Sequence, residues 1–260
     1  MGDVRFRGGG FVARPGGVAG AVTVAVVLGV WEGGARLHWF STVFLSMPSA
    51  IGRRVFELAA SGELAGHLGA SLSRLAWGWA VGTVAGVVAG VGIGLFDRVR
   101  GAGMAVVGAL FPVPKIALVP LFIIWFGIGE GSKVFTVAFG VFFPTIINTV
   151  AGVDAVPRGL VRMAQSFGLS WGRVVWTVVL PGALPSVLAG LRITVATAVI
   201  LLVAAEMIGA ERGIGAFVLQ AGNLYDVDAL MAGIAVLSGL GLALSGLIGL
   251  AERWFLRWRG

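Results

Sequence analysis

The chain has no cysteine, which excludes disulfides and thiolate metal sites. Histidine is almost absent: His38 and His67 are too few for a histidine-based metal site. Only two lysines occur, Lys115 and Lys133, and neither directly follows a glycine. There is therefore no G-x-x-x-x-G-K-[ST] phosphate loop, and the chain cannot hydrolyse ATP by that mechanism. No Ser/His/Asp or His/Glu cluster points to hydrolysis or metal catalysis. Charge is scarce as well, at 12% of residues. Soluble domains carry about 25%.

What fills the chain is apolar. Of 260 residues, 58% are hydrophobic and the mean hydropathy is +0.98. A helix needs roughly 20 apolar residues to cross the hydrocarbon. Six spans are expected, over about 17–33, 75–96, 104–126, 133–152, 187–209 and 229–251. They must be helical, because lipid offers the backbone no hydrogen-bond partners. The net charge of +7 does not mark a nucleic-acid binder, since the basic residues flank apolar spans and form no stripe.

Those flanking charges set an orientation. With the N-terminus in the cytoplasm, inside segments hold eleven basic residues (Arg5, Arg7, Arg14, Arg98, Arg100, Arg158, Arg162, Arg173, Arg253, Arg257, Arg259). Outside segments hold five: Arg36, Arg53, Arg54, Lys133 and Arg212. The bias places both termini and the island 153–186 in the cytoplasm. The first apolar run follows Arg5, Arg7 and Arg14 without a convincing cleavage site, so it reads as a retained span.

Three features within the spans carry further expectations. After Pro48, residues Ile51, Val55, Leu58 and Ala59 share one helical face, which fits a short interfacial helix or an ordered external loop. Gly78, Gly82, Gly86, Gly90 and Gly94 recur every four residues and form a groove for close helix approach, either static or sliding. Pro112, Pro114 and Pro120 break the third span. Intramembrane charges are functional candidates. Lys115, beside Pro114, is placed to attract an anion or to snorkel, and Glu206 to pair across the bundle or to gate the outer mouth. Arg192 reads as an interface anchor, and Asn148 as interhelical glue.

The polar island 162–185, RMAQSFGLSWGRVVWTVVLPGALP, is the most specific stretch. A short helix is expected over 159–167, ended by Gly168 in a left-handed conformation, with Ser170 as N-cap of a second helix. Met163 and Phe167 lie four apart on one face that can enter a partner's groove. The island resembles the cytoplasmic EAA loop of permease subunits of binding-protein-dependent ABC importers. Arg162-Met163-Ala164, Gly168, Val178 and Leu180-Pro181 keep every spacing of that motif, with Arg162 where the motif has glutamate. Residues 47–82, 114–133 and 189–215 resemble the nitrate/sulfonate/taurine branch.

This resemblance implies an all-α membrane protein of the type I importer permease fold, a single domain over 1–260. It implies a multi-pass protein of the bacterial inner membrane that passes a small solute, first of all a sulfonate-like anion, and performs no bond chemistry. The implied assembly is two copies of the permease, two ATPase subunits that bind ATP and magnesium, and an external solute-binding protein. No metal or cofactor is expected on the chain itself. Arg162, Met163, Ala164, Phe167, Gly168, Leu169, Ser170, Leu180 and Pro181 are implied to couple the permease to the ATPase. Pro114, Lys115 and Glu206 are candidates for the pathway. A secondary transporter driven by an ion gradient is the alternative, but no internal repeat and only one clear buried acid support it.

Overall fold

The computed structural model describes residues 17–257, with side chains from residue 20 onward. Arg5, Arg7, Arg14 and Arg259, which contribute to the charge bias, lie outside the described residues. Among the described residues every regular element is helical: α1 (Gly17–Arg36), α2 (Pro48–Ala60), α3 (Glu63–Leu95), α4 (Asp97–Leu110), α5 (Val119–Phe126), α6 (Glu130–Asp154), α7 (Arg158–Ser166), α8 (Trp171–Val174), α9 (Leu180–Gly209), α10 (Ile214–Asn223) and α11 (Val227–Phe255). A 3₁₀ turn (Lys115–Leu118) precedes α5, and a π turn (Val175–Val179) joins α8 to α9.

Four helical stretches are long and apolar enough to cross a membrane: Glu63–Leu95, Glu130–Asp154, Trp171–Gly209 and Val227–Phe255. The pair Asp97–Leu110 and Lys115–Phe126 makes a fifth if counted as one span. The 20-residue α1 occupies the expected first span. The third span is not one rod, because its two halves meet at 85°. Pro112 and Pro114 supply the reason, since each lacks a backbone donor and disfavours helical geometry in the residue before it. Pro120 does no such damage, lying in the first turn of α5 where no donor is needed.

The centre of the bundle is α6, which packs most extensively on α3 and then on α9. The glycine groove of α3 faces it. A Cβ at Gly78 would fall 2.6 Å from the Val137 Cβ, one at Gly86 2.7 Å from the Thr145 Cβ, and one at Gly90 2.6 Å from the Thr149 Cβ. Only glycine permits this approach, which in lipid replaces the missing hydrophobic drive between helices. One core cluster then joins all three helices: Leu75, Val137, Val141, Ala198 and Leu202. By contrast, α11 buries only its start, at Ala229, Ala232 and Gly233, and its most apolar 18 residues have none buried, against 56% in α6, which puts it at the rim.

Two further expectations need correction. Segment 153–186 is not a loop throughout, because the penultimate crossing helix begins at Trp171 and runs to Gly209. Asn148 is not interhelical glue by hydrogen bonding: its Nδ2 donates to the Pro144 carbonyl of its own helix at 2.8 Å. The expected helix after Pro48 is present, with Ile51 and Leu58 buried and Phe56 exposed.

Candidate functional site

At one end of the bundle lies α7. Its C-terminus closes by two bonds, Gly168 N–H to the Gln165 carbonyl (2.9 Å) and Leu169 N–H to the Ala164 carbonyl (3.2 Å). This is a Schellman cap, and its hinge residue must be left-handed. Gly168 has φ +74°, and a Cβ there would meet nothing within 4 Å, so glycine is present for backbone conformation alone. Leu169 then turns back onto Ala164, and both join Val156, Val161, Val174, Val178, Val179 and Ala183 in one apolar cluster. That cluster glues α7 to the first turns of α8 and α9.

The opposite face of α7 is bare. Leu160, Met163 and Phe167 follow at helical spacing and are 46%, 52% and 76% exposed. Arg158 and Arg162 flank this stripe, both exposed. Among the described residues Arg162 forms no ion pair. Ser170 occupies the N-cap position of α8 with extended ψ of 152°, but its side chain makes no capping bond. The structure thus gathers Arg162, Met163, Ala164, Phe167, Gly168, Leu169 and Ser170 in one helix and turn. Leu180 and Pro181 sit apart, at the start of α9. Pro181 has no N–H for the carbonyl four residues back, which accounts for the five-residue π turn just before it.

At the other end, a polar cluster is buried among α3, α6, α9 and α10. Arg74 is its centre. Its Nε and Nη2 donate to the two oxygens of Glu130, both at 2.6 Å. Its Nη1 donates to Glu206 Oε1 at 2.8 Å and to the Arg212 carbonyl at 2.6 Å. Glu206 is fully buried and also accepts from the Ser71 hydroxyl (2.8 and 3.0 Å) and Gly215 N–H (2.9 Å). The start of α10 is thus held by side chains remote in sequence. Gly213 N–H donates to His67 Nδ1 at 3.1 Å, and Ile214 N–H to Ser71 Oγ at 2.9 Å. His67, Ser71 and Arg74 share one face of α3 at spacings of four and three. Gly213 and Gly215 leave room for the Glu206 carboxylate, because a Cβ at Gly215 would lie 2.9 Å from the Glu206 Cβ.

Beside this cluster opens a cleft of about 610 Å³, lined among others by Arg74, Ile128, Glu130, Lys133, Gly209 and Arg212. The Lys133 ammonium is spent on its own turn, donating to the Ile128 and Gly129 carbonyls at 2.6 and 2.9 Å. Lys115 lies elsewhere, just after the 85° bend; its ammonium donates to the Phe111 carbonyl and sits 4.9 Å from the Phe111 ring and 5.8 Å from that of Phe143. Pro114 is the residue before that turn. Lys115 and Glu206 are therefore not brought together. Sequence reasoning named Glu206 but missed Arg74, Glu130 and α10. The signal was a lone arginine in a glycine-striped apolar span, with one buried acid late in another.

Comparisons with known proteins agree with one another. The family described as "Binding-protein-dependent transport system inner membrane component" matches residues 82–257. The taurine transport system permease protein TauC of Escherichia coli is 37% identical over 243 residues, 92% of this chain and 88% of its own length. SsuC of Bacillus subtilis, a protein assigned to aliphatic sulfonates transport, is 34% identical over 95% of this chain and 89% of its own. The riboflavin transport system permease protein RibX of Chloroflexus aurantiacus is 31% identical over 91% of this chain and 88% of its own. Among solved structures, an inward facing form of the MetNI methionine ABC transporter superposes with a TM-score of 0.63. It shares 22% identity and covers 75% of this chain and 94% of that one, which shows a common fold.

Proposed function

The chain belongs to the family of binding-protein-dependent transport system inner membrane components, and from that premise we propose that it passes a small sulfonate-type solute and takes its drive from a separate ATPase gripping α7. Membership makes it the membrane permease of an ABC importer. The solute class rests on the two relatives named for taurine and aliphatic sulfonates. The α7 end is then cytoplasmic, as the basic residues around it favour, and the chain lies in a bacterial inner membrane with both termini inside. Two ATPase subunits carry ATP and magnesium, a solute-binding protein delivers the solute from outside, and a second copy of this chain completes the pathway. The chain itself performs no bond chemistry.

The single observation that carries the coupling role is the exposed stripe Leu160, Met163 and Phe167 on a helix whose other face is fixed to α8 and α9. A rigid helix presenting apolar anchors is the geometry of a helix-in-groove contact. Closing of the two ATPases moves α7, and with it α8 and α9. Lys115 retains a role as a cation facing the solute path, supported by its place at the break rather than in an ion pair.

The test uses the lack of native cysteine. Single cysteines at Ser166 and Ser170 are paired with cysteines in the ATPase, in membranes with and without ATP. Nucleotide-dependent crosslinks there, and none from Arg53 at the opposite end, are the expected result. Absence of any crosslink in membranes that transport solute overturns the coupling role.

A further inference from the structure

The two carboxylates on Arg74 are not equivalent. Glu206 has a side chain with no solvent exposure and four polar contacts, and its partner Ser71 is buried too. The Glu130 side chain, at the first residue of α6, is 65% exposed, and among the described residues its only hydrogen-bond partner is Arg74. Water can replace Arg74 at Glu130 but cannot reach Glu206. When Arg74 is let go by Glu130 it still holds Glu206 and the Arg212 carbonyl, so no buried charge is stranded. The pairing therefore has a fixed half and a releasable half.

What the pairing fastens is the start of α6. Glu130 begins α6 and follows the turn Gly127–Gly129, in which Gly127 has φ +79° and Lys133 ties down two carbonyls. Across the 610 Å³ cleft stand Met207 to Arg212, the end of α9 and its turn into α10. The Ile128 side chain bridges the gap: a Cβ at Gly209 would fall 2.9 Å from Ile128 Cγ1. Three positive groups (Arg74, Lys133, Arg212) and two negative ones (Glu130, Glu211) line the cleft, and buried Glu206 on Arg74 offsets the remaining positive charge. The arrangement suits a closure better than an anion trap.

We infer that Arg74 and Glu130 form a releasable latch that ties the two walls of this cleft together at the α10 end, with Arg74–Glu206 as its permanent anchor, and that each transport cycle opens it. Arg74 is thus a positioning residue. It touches no solute; it sets whether the start of α6 is docked on α3 and the α9–α10 turn. This rests on the importer reading above, because only a cycle driven from the α7 end calls for a seal at the other.

The test places cysteines at Ile128 and Gly209 of the full chain, in native membranes with its partner subunits. In the docked state the two lie within disulfide reach. An oxidant is expected to join them efficiently without nucleotide. With ATP and vanadate the yield falls roughly tenfold, because the docked form becomes the minor state of a two-state element. Glu130→Gln lowers the yield without nucleotide and removes the response to it. Arg74→Lys does the same, since an ammonium cannot span both carboxylates bidentately. A purely structural ion pair would leave the yield independent of nucleotide. An α7–ATPase crosslink is read in the same membranes. If it responds to nucleotide while the cleft crosslink does not, the latch is overturned and the importer reading stands. A Glu130→Gln yield equal to that of the parent chain also overturns the latch. If neither crosslink responds, both readings fall.

Discussion

Replacing Glu206 by alanine removes the acceptor through which α9 holds both α3 and α10, and the cost follows from the contacts. Arg74 loses its 2.8 Å partner, Ser71 loses both of its short contacts, and Gly215 N–H loses its acceptor at 2.9 Å. Each buried donor left unpaired costs about 1–3 kcal/mol. Removing one member of a buried pair costs about 3–5 kcal/mol. These figures overlap and do not add, and Arg74 keeps Glu130 and the Arg212 carbonyl. The expected loss is about 3–5 kcal/mol. Glu130→Ala leaves Arg74 on its buried partner and deletes a carboxylate that is 65% exposed, so it costs about 1 kcal/mol or less. With about 2–4 °C per kcal/mol for a chain of this size, Glu206→Ala lowers the melting temperature by about 6–20 °C, and Glu130→Ala by at most about 4 °C. The nine tryptophans allow thermal unfolding in detergent to be followed by fluorescence. Equal shifts for the two variants, or a larger one for Glu130→Ala, would refute the division into a fixed and a releasable half.

Three other outcomes are expected. Gly168→Ala forces a side chain into the left-handed region at about 1–2 kcal/mol. Because nothing crowds that position, the loss appears as misdirected α7 and weakened ATPase binding while the chain still folds; Gly168→Asn, which tolerates that region, retains more binding in a pull-down. Phe167→Asp, at a residue 76% exposed, abolishes co-purification of the ATPase with unchanged far-ultraviolet circular dichroism. Gly82→Leu drives a side chain against the Ala138 backbone, whose Cα would stand 2.9 Å from the new Cβ, and lowers the yield of folded protein; Gly92→Leu, on the open face of the same helix, is tolerated.

What could be read in the sequence divides along a physical line. The glycine groove was legible because a spacing of four is a property of one helix, and only the identity of its neighbour, α6, required the fold. The end of α7 was legible because a Schellman cap is local: a glycine after a polar amphipathic turn. The bend at Pro112 and Pro114 was legible as a break, whereas its 85° angle depends on what the two halves pack against. The short α10 was not legible, since its first N–H groups are held by His67, Ser71 and Glu206, from other helices, rather than by a local cap. Ser170 illustrates the converse, a good N-cap by sequence that makes no capping bond, because the helix it opens is stabilised by the Val174 and Val179 cluster instead. Arg74 escaped because a buried charge is explained only by its partners, and those lie 56 and 132 residues away.

Three elements run between the two ends of the bundle, since the cluster that seats α7 also takes Leu95 of α3 and Val153 of α6; one of the three carries Glu206. The helix from Trp171 to Gly209 is 39 residues long, roughly 58 Å at 1.5 Å per residue. Its start carries Val174, Val179 and Ala183 into the cluster that seats α7, and its last turn carries Glu206. The only departures from regular geometry along it, the π turn before Pro181 and the proline at Pro185, both lie near the α7 end. Beyond Pro185 the helix has no break to absorb a tilt, so a displacement applied through α7 arrives at Glu206. There Arg74 and Ser71 must follow, because parting from a fully buried carboxylate would strand its charge. The strain then falls on the next contact outward, Arg74 with Glu130, which water can replace on one side. A helix that is stiff over its outer length, ending in a buried ion pair that is itself tied to an exposed one, yields first at the exposed one.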